Sequence, residues 1–449
     1  MKIVCVILKN DNLNMIIKDI NGEILNGIPS SAASILLNKE LFFQVETIID
    51  DVRRFGDEKV IEFCKKFDGV GDDFNLTVSE KEFEESEKEV ESNRELMDIV
   101  NGFLLASERI RKFHEEQLRY FNLKGKWLIN IEEGRRVGQV IKPVDSVMAY
   151  VPGGRAIYPS TFIMNVIPAK VAGVHKIFVS TPSQKGKVSP VILYLAKKLG
   201  VDGVFKIGGA VSVASFAFGT QTIPKVDMIV GPGNKYFVLA KKLLDGIVGT
   251  DIIPGPSEVA VFATYGDPKY FAYDLLSQLE HDPDSSAFMI SPDSKLLEQI
   301  KTEISCIVPN SNRKNIIKSS IKNLLFIEVT SIEEGFDIIN HIAPEHLEVV
   351  VESIDIDNID KYIKHAGTVL IGPYSPVVIT DYFAGTNHVL PTSSTARFSS
   401  PLGVYNFMKM YNVCQWDDRG LKEDMEIVSK LAIYEGLEMH SKSILERGN

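Results

Sequence analysis

The sequence predicts an α/β protein built from two parallel-sheet units, with a helical layer before them and a helical extension after them. Three observations carry that reading. Residues 140 to about 253 alternate short β-rich runs with helix-period runs, and residues 259–371 do the same, which is the pattern of βαβ units. Glycine clusters stand where strands of the first block should end. Outside both blocks, apolar residues recur at helical spacing among many charges.

The elements follow in order. Met1-Lys2 and the apolar run from Ile3 to Leu8, interrupted at Lys9-Asn10-Asp11, are too short for a signal peptide and read as an edge strand. From Phe42 to about Tyr120, Val45, Ile48, Ile49 and Val52 mark a helix, Gly56 breaks it, and a charged stretch with spaced Leu, Ile and Phe continues the layer. The acidic run from Glu82 to Glu91 reads as solvated helix surface. In the first block the strands are expected at 146–150, 176–180 and 226–230, with helices at 191–198 and 211–218. In the second they are expected at 259–263, 287–291, 325–329, 347–351 and 368–371. Residues 375–403 are irregular and rich in Pro, Ser, Thr and Gly, a length usual for functional loops, and the chain then reads as helix through His440. The expected division is an extension over 1–41, a first, discontinuous α/β domain from 42–149 and 254–380, a second over 150–253, and a loop with a helical region over 381–449.

At 449 residues the chain calls for more than one core. Its formal charge of −11 argues against nucleic acid or an anionic membrane as the main partner, because both select basic patches. Cys5, Cys64, Cys306 and Cys414 lack Cys-x-x-Cys spacing, so neither a disulfide framework nor a zinc knuckle is indicated, and a reducing cytoplasm is expected. No apolar run approaches the roughly 18 residues of a membrane helix.

Two local patterns carry chemistry. Gln278 and His281 stand one helical turn apart, just ahead of Pro283, so one ion can meet both side chains, although such a pair alone is more often a solvated helix end. The glycine clusters are Tyr150-Val151-Pro152-Gly153-Gly154, Ile207-Gly208-Gly209-Ala210 and Val230-Gly231-Pro232-Gly233-Asn234. Glycine at a strand's carboxyl end lets backbone amides approach a phosphate. None completes Gly-x-Gly-x-x-Gly, so the units are Rossmann-like without the fingerprint, and a dinucleotide pocket competes evenly with plain tight turns.

Taken together with Pro168 to Gly173, Gly255-Pro256-Ser257-Glu258, Ser277 to Pro283, Ala343 to Glu348, Asn387 to Thr392, Thr395 to Gly403 and Glu435 to Glu438, these strings resemble the histidinol dehydrogenase family over about residues 42 to 443. The resemblance implies a homodimeric enzyme that oxidises L-histidinol through histidinal to L-histidine, with one zinc per subunit and two NAD per turnover. It places zinc on Gln278, His281, Asp381 and His440. Substrate contacts fall on Ser257, Gln278, His281, His346, Asp381, Glu435 and His440, and the catalytic pair on Glu345 and His346. NAD contacts fall on Tyr150 and Asn234, while Val211 stands where the family carries a glutamine, so weaker NAD binding is expected. It also implies that residues 150–253 form the NAD side and that the region bearing Glu435 and His440 reaches into the neighbouring subunit.

The chemistry suits those roles. Removing a hydroxyl proton as hydride departs needs a base active near neutrality, which is histidine's property, and an adjacent carboxylate is suited to activating water for the second oxidation. A zinc hydrolase is a competing reading, but His341 stands one residue too far from Glu345-His346 for His-x-x-Glu-His, and Pro344 disfavours a helix there. His114, His175 and His365 have no partner in sequence and read as surface or structural. A dehydrogenase of another small alcohol and a non-catalytic relative are the remaining alternatives. The first is expected to lose Glu435, the second its base.

Overall fold

Helix-period burial builds the first layer of the molecule. A computed structural model of the chain describes residues 38–153, 157–252 and 255–448, together with the backbone of 3–5. Strand β1 (Ile3–Cys5) is followed by α1 (Lys39–Phe55), whose buried residues Leu41, Val45, Ile48, Ile49 and Val52 form one stripe. Helices α2 (Asp57–Asp68), α3 (Glu80–Ser92) and α4 (Arg94–Tyr120) complete the layer. Ser79 and Glu82 cap α3 reciprocally, satisfying amides that the helix start leaves open. His114, buried on α4 with Nδ1 on the Ile110 carbonyl at 2.8 Å, is structural.

The hairpin β2 (Gly125–Glu132) and β3 (Arg135–Pro143) leads into β4 (Ser146–Tyr150), α5 (Pro159–Ala172), β5 (Lys176–Ser180), α6 (Pro190–Leu199), β6 (Gly203–Phe205), α7 (Gly209–Phe218), β7 (Met228–Val230), α8 (Lys235–Leu244) and β8 (Gly249–Thr250). Strands β4 to β8 form a parallel sheet in the order β6-β5-β4-β7-β8. Strand order reverses between β4 and β7, which opens a crevice at their carboxyl ends.

A second parallel sheet follows: β9 (Glu258–Ala263), α9 (Pro268–Leu279), β10 (Ser286–Ser291), α10 (Ser294–Ile307), α11 (Lys314–Ser320), β11 (Leu324–Glu328), α12 (Ile332–Ile342), β12 (His346–Val350) and β13 (Thr368–Ile371). Its order is β1-β11-β10-β9-β12-β13, with β1 at one edge as its sequence suggested. A short helix, α13 (Val378–Tyr382), opens the long loop, and β14 (Met408–Trp416), α14 (Asp418–Tyr434) and α15 (Glu438–Leu445) end the chain.

Two expectations need correction. Helices α1 to α4 share their cores with the five-stranded sheet, Val45 and Ile49 with Tyr150 and Phe237, and Val100 and Ile110 with Phe162 and Val147. Among the described side chains, the cores around β9 to β13 draw on residues 259–377. Residues 42–149 therefore pack with 150–252, not with 254–380. The helix expected after residue 403 is interrupted by β14, which pairs antiparallel with β3 and completes a three-stranded sheet β14-β3-β2. Every residue of β2 is exposed, so neither face imposes the alternation that marks a half-buried strand.

Candidate active site

The chain leaves the carboxyl edge of the five-stranded sheet at Thr250 and enters the amino end of β9 at Glu258. The loop after α13 ties the two sheets across this junction. Asn387 Nδ2 donates to the Met164 carbonyl of α5 at 2.7 Å, His388 Nε2 lies 3.3 Å from Thr161 Oγ1, and the Ser393 amide donates to Glu258 Oε1 at 3.0 Å.

His346 opens β12 and lies in register with Val259, which sets the peptide of Glu258 against the step from Glu345 to His346. The Glu258 N–H donates to Glu345 Oε2 at 2.8 Å, and its carbonyl faces His346 Nδ1 at 3.3 Å. A carbonyl only accepts, so Nδ1 carries the proton and Nε2 keeps its lone pair. That Nε2 is buried and has no hydrogen-bond partner among the described residues. Burial pulls the His346 pKa down, but Glu345, Asp381 and the Glu258 carbonyl outweigh it and hold the imidazole above its ordinary value. The Glu345 carboxylate stands 3.7 Å from Nδ1.

Backbone strain concentrates here. Ala343, Ser393 and Ser394 are non-glycine residues with φ of 52°, 54° and 62°, a conformation that costs about 1 kcal/mol or more each and persists where surroundings enforce it. The enforcing contacts are visible: Ser394 Oγ donates to the Ile342 carbonyl at 2.7 Å, Arg397 Nη2 to the carbonyls of Asn340 and His341 at 2.9 and 2.6 Å, and the Gly255 amide to Thr392 Oγ1.

Gln278, next to the last residue of α9, is almost fully buried. His281 follows one turn later, its amide on the Gln278 carbonyl at 3.1 Å, with an exposed side chain. Asp381 lies on α13, half-buried, with Oδ1 3.9 Å from His388 Nδ1. Ser257 precedes Glu258 and is half-buried. A carboxyl pair links the elements that carry these groups. Glu348, two residues along β12 from His346, accepts the Val377 amide at 2.6 Å ahead of α13. It also hydrogen-bonds Asp274, one turn before Gln278 on α9, and burial raises both pKa values, that of Asp274 to about 6.

Glu435 and His440 are exposed on the C-terminal helix pair, which packs chiefly on itself and on β14. Arg135 anchors that pair, with Nε and Nη2 on the Asp424 carboxylate at 2.8 and 2.7 Å. Among the described residues of one chain, no three His, Cys, Asp or Glu side chains gather as a metal cluster. The donor set of Gln278, His281 and Asp381, an amide oxygen, an imidazole and a carboxylate, nevertheless fits a cation by its chemistry.

On the five-stranded sheet, Tyr150 ends β4 buried. Its ring stacks on Phe237 at 3.9 Å, and its hydroxyl accepts the Gly209 amide at 3.0 Å. Asn234 caps α8, accepting from Tyr236 and Phe237 at 3.1 Å each. Val211 is buried in the apolar cluster beneath them. The Gly231 turn has φ of 111°, and a Cβ there would meet the Tyr150 carbonyl at 2.6 Å, so only glycine fits. A fully buried ion pair holds this turn: Asp251 accepts the Gly231 amide at 2.8 Å and pairs with Lys241, which also donates to the carbonyls of Gly231 and Ile252 at 3.2 and 3.0 Å. Lys241→Met strands a buried carboxylate and is expected to lower stability by about 3–5 kcal/mol, read as a fall in urea midpoint, with Asp251→Leu in addition recovering much of it. Unchanged midpoints would contradict this.

Glu258 and His388 stand beside the predicted pair without having been assigned roles by sequence. Both lie in strings quoted above, but only strand pairing and loop closure bring them to Glu345 and Asp381.

A buried base with a free ring nitrogen, a neighbouring carboxylate and a strand-end crevice on an α/β scaffold define an enzyme poised for proton transfer. A profile of the histidinol dehydrogenase family matches residues 34–448, so the chain belongs to that family of oxidoreductases. Histidinol dehydrogenase of Halalkalibacterium halodurans is 42% identical over 403 residues, covering 89% of this chain and 92% of the relative. That of Lactococcus lactis is 42% identical over 415 residues, covering 92% and 94%. The crystal structure of histidinol dehydrogenase from Elizabethkingia anophelis superimposes with a TM-score of 0.82 at 32% identity, covering 91% and 92%.

Proposed function

We propose that this chain oxidises L-histidinol to L-histidine through histidinal, using two NAD and a zinc ion, as the last step of histidine synthesis. The observation that carries the reading is His346: buried at a strand start, its Nδ1 proton on a main-chain carbonyl and its Nε2 unpartnered. NAD, when bound at the β4–β7 crevice lined by Tyr150 and Asn234, supplies the hydride acceptor. Zinc, when bound by Gln278, His281 and Asp381 with His440 of a second copy, supplies a Lewis-acid anchor for the substrate's imidazole and amine.

The chain's own residues handle protons and position. His346 Nε2 takes the hydroxyl proton as the carbinol hydride leaves. In the second oxidation the Glu345 carboxylate takes a proton from the water that adds to the aldehyde, and His346 again accepts the proton lost as the hydrate is oxidised. Ser257 and Glu435 contact the substrate. Residues 150–253 form the cofactor side, and Val211 leaves NAD without the amide that a glutamine provides there. NADH formation with histidinol, histidinal and simple alcohols tests the reading. Turnover of simple alcohols but not histidinol would favour a different dehydrogenase.

The site is completed by a second copy of the chain. His440 and Glu435 sit on an arm whose apolar side chains are uncovered, Tyr434 at 91% exposure and Leu431 at 57%, alongside the exposed β2. Faces of this kind mark association surfaces. An inactive His346→Ala chain and an inactive His440→Ala chain, unfolded and refolded together, are therefore expected to regain activity through heterodimers with one intact site. Heterodimers without activity would place all ligands within one chain.

A further inference from the structure

Glu258 receives no role from the reading above, yet it touches both members of the catalytic pair. It is buried at the start of β9. Its N–H holds the Glu345 carboxylate, and its carbonyl holds His346 Nδ1. Its side chain works in the opposite direction, accepting the Ser393 amide at 3.0 Å and the Glu345 amide. Glu258 and Glu345 thus exchange contacts, each carboxyl facing the other's peptide. The carboxyl also bridges two segments in left-handed strain, Ala343 ahead of Glu345 and Ser393-Ser394 in the loop. It does so alongside the Ser394 hydroxyl on the Ile342 carbonyl and Arg397 on the carbonyls of Asn340 and His341.

We propose that Glu258 is a positioning residue for the reaction: its buried carboxyl locks the Glu345 peptide to the Ser393 turn, while its peptide group aims the Glu345 carboxylate and fixes His346 with Nε2 as the ring nitrogen free for proton transfer. The charged groups facing the side chain are Glu345 and His346. Burial and the Glu345 charge raise the Glu258 pKa to about 8, so the acid stays neutral around pH 7 beside a working carboxylate. Because the folded pKa lies above the unfolded one, the contribution of Glu258 to stability is fully present below the ordinary glutamate value. It is lost as pH rises through about 8.

The inference rests on the reading of Glu345 and His346 as the catalytic pair, and its test separates the two. Wild type, Glu258→Gln and Glu258→Ala are compared for zinc content, histidinol affinity by calorimetry, NADH formation from histidinol and histidinal, and melting temperature from pH 6 to 10. Glu258→Ala is expected to lose about tenfold to a hundredfold in kcat with both substrates, the usual cost of a misplaced catalytic group, while zinc content and histidinol affinity hold. Glu258→Gln, which cannot ionise, is expected to show a smaller fall in melting temperature between pH 6 and 8 than wild type. Wild-type kcat in Glu258→Ala, or a loss matched by lost zinc and histidinol binding, overturns the proposal. So does the same decline between pH 6 and 8 in Glu258→Gln, which decides the matter even if the alanine variant does not fold. Failure of wild type to oxidise histidinol would instead sink the function, leaving the melting comparison intact as a test of the clamp.

Discussion

Stripping divalent metal from the protein with a chelator is expected to abolish histidinol oxidation, and added zinc to restore it. Gln278, almost fully buried near the end of α9, offers an amide oxygen that with the His281 imidazole and the Asp381 carboxylate makes a donor set suited to a divalent cation. His281 follows α9 and Asp381 lies on α13, two elements that the Glu348–Asp274 carboxyl pair links. His281→Ala is expected to retain little zinc after dialysis, measured by atomic absorption, and His440→Ala to do the same despite its distant arm. Full activity in metal-free protein would show that the donors serve another purpose.

The sequence made most strands of the two parallel sheets legible because they are largely buried on both faces, whereas β6 and β8, three and two residues long, were too short to show a pattern. Runs such as Glu258–Ala263 and Ser286–Ser291 are short, continuous and buried at every position. The antiparallel sheet was not legible for the opposite reason. β2 and β14 expose nearly all their residues, so nothing in their apolar spacing points to an inside. The packing of α1 to α4 on the five-stranded sheet was hidden too, since an apolar stripe shows that a helix is buried and not against what.

Within the site, the individual side chains could be read but not their supports. Gln278 and His281 announce themselves by spacing, and the string around His346 by resemblance. Glu258 acts through its peptide and through a carboxyl that meets the amide of Ser393, 135 positions away, a closure that no local pattern encodes. The irregular length of residues 375–403 was the available clue, and the loop is indeed where Thr392, Ser393, Ser394 and Arg397 fasten both catalytic segments. Glu345 and His346 lie at the amino end of β12, beside Glu258 at the amino end of β9, whereas two of the glycine turns lie at the carboxyl ends of β4 and β7.

His346→Ala and Glu345→Gln are expected to fail differently. Both oxidations require a proton to leave oxygen as hydride leaves carbon, and Nε2 of His346 is the free ring nitrogen at the site, held there by the Glu258 carbonyl on Nδ1. Its loss should lower kcat about a hundredfold or more with histidinol and with histidinal alike, a typical general-base contribution. Glu345 has a narrower task. Only the aldehyde step consumes water, and the Glu345 carboxylate, oriented by the Glu258 amide at 2.8 Å, is the group placed to activate it. Glu345→Gln keeps the acceptor oxygen for that amide but gives up the base, so histidinal oxidation should slow strongly while the first oxidation, followed as a single turnover of histidinol, is spared. Stopped-flow NADH formation with each substrate distinguishes the variants. Equal losses in both steps for both variants would mean that the two side chains work as one unit, with the proton passing between them across the 3.7 Å that separates Glu345 Oε2 from His346 Nδ1.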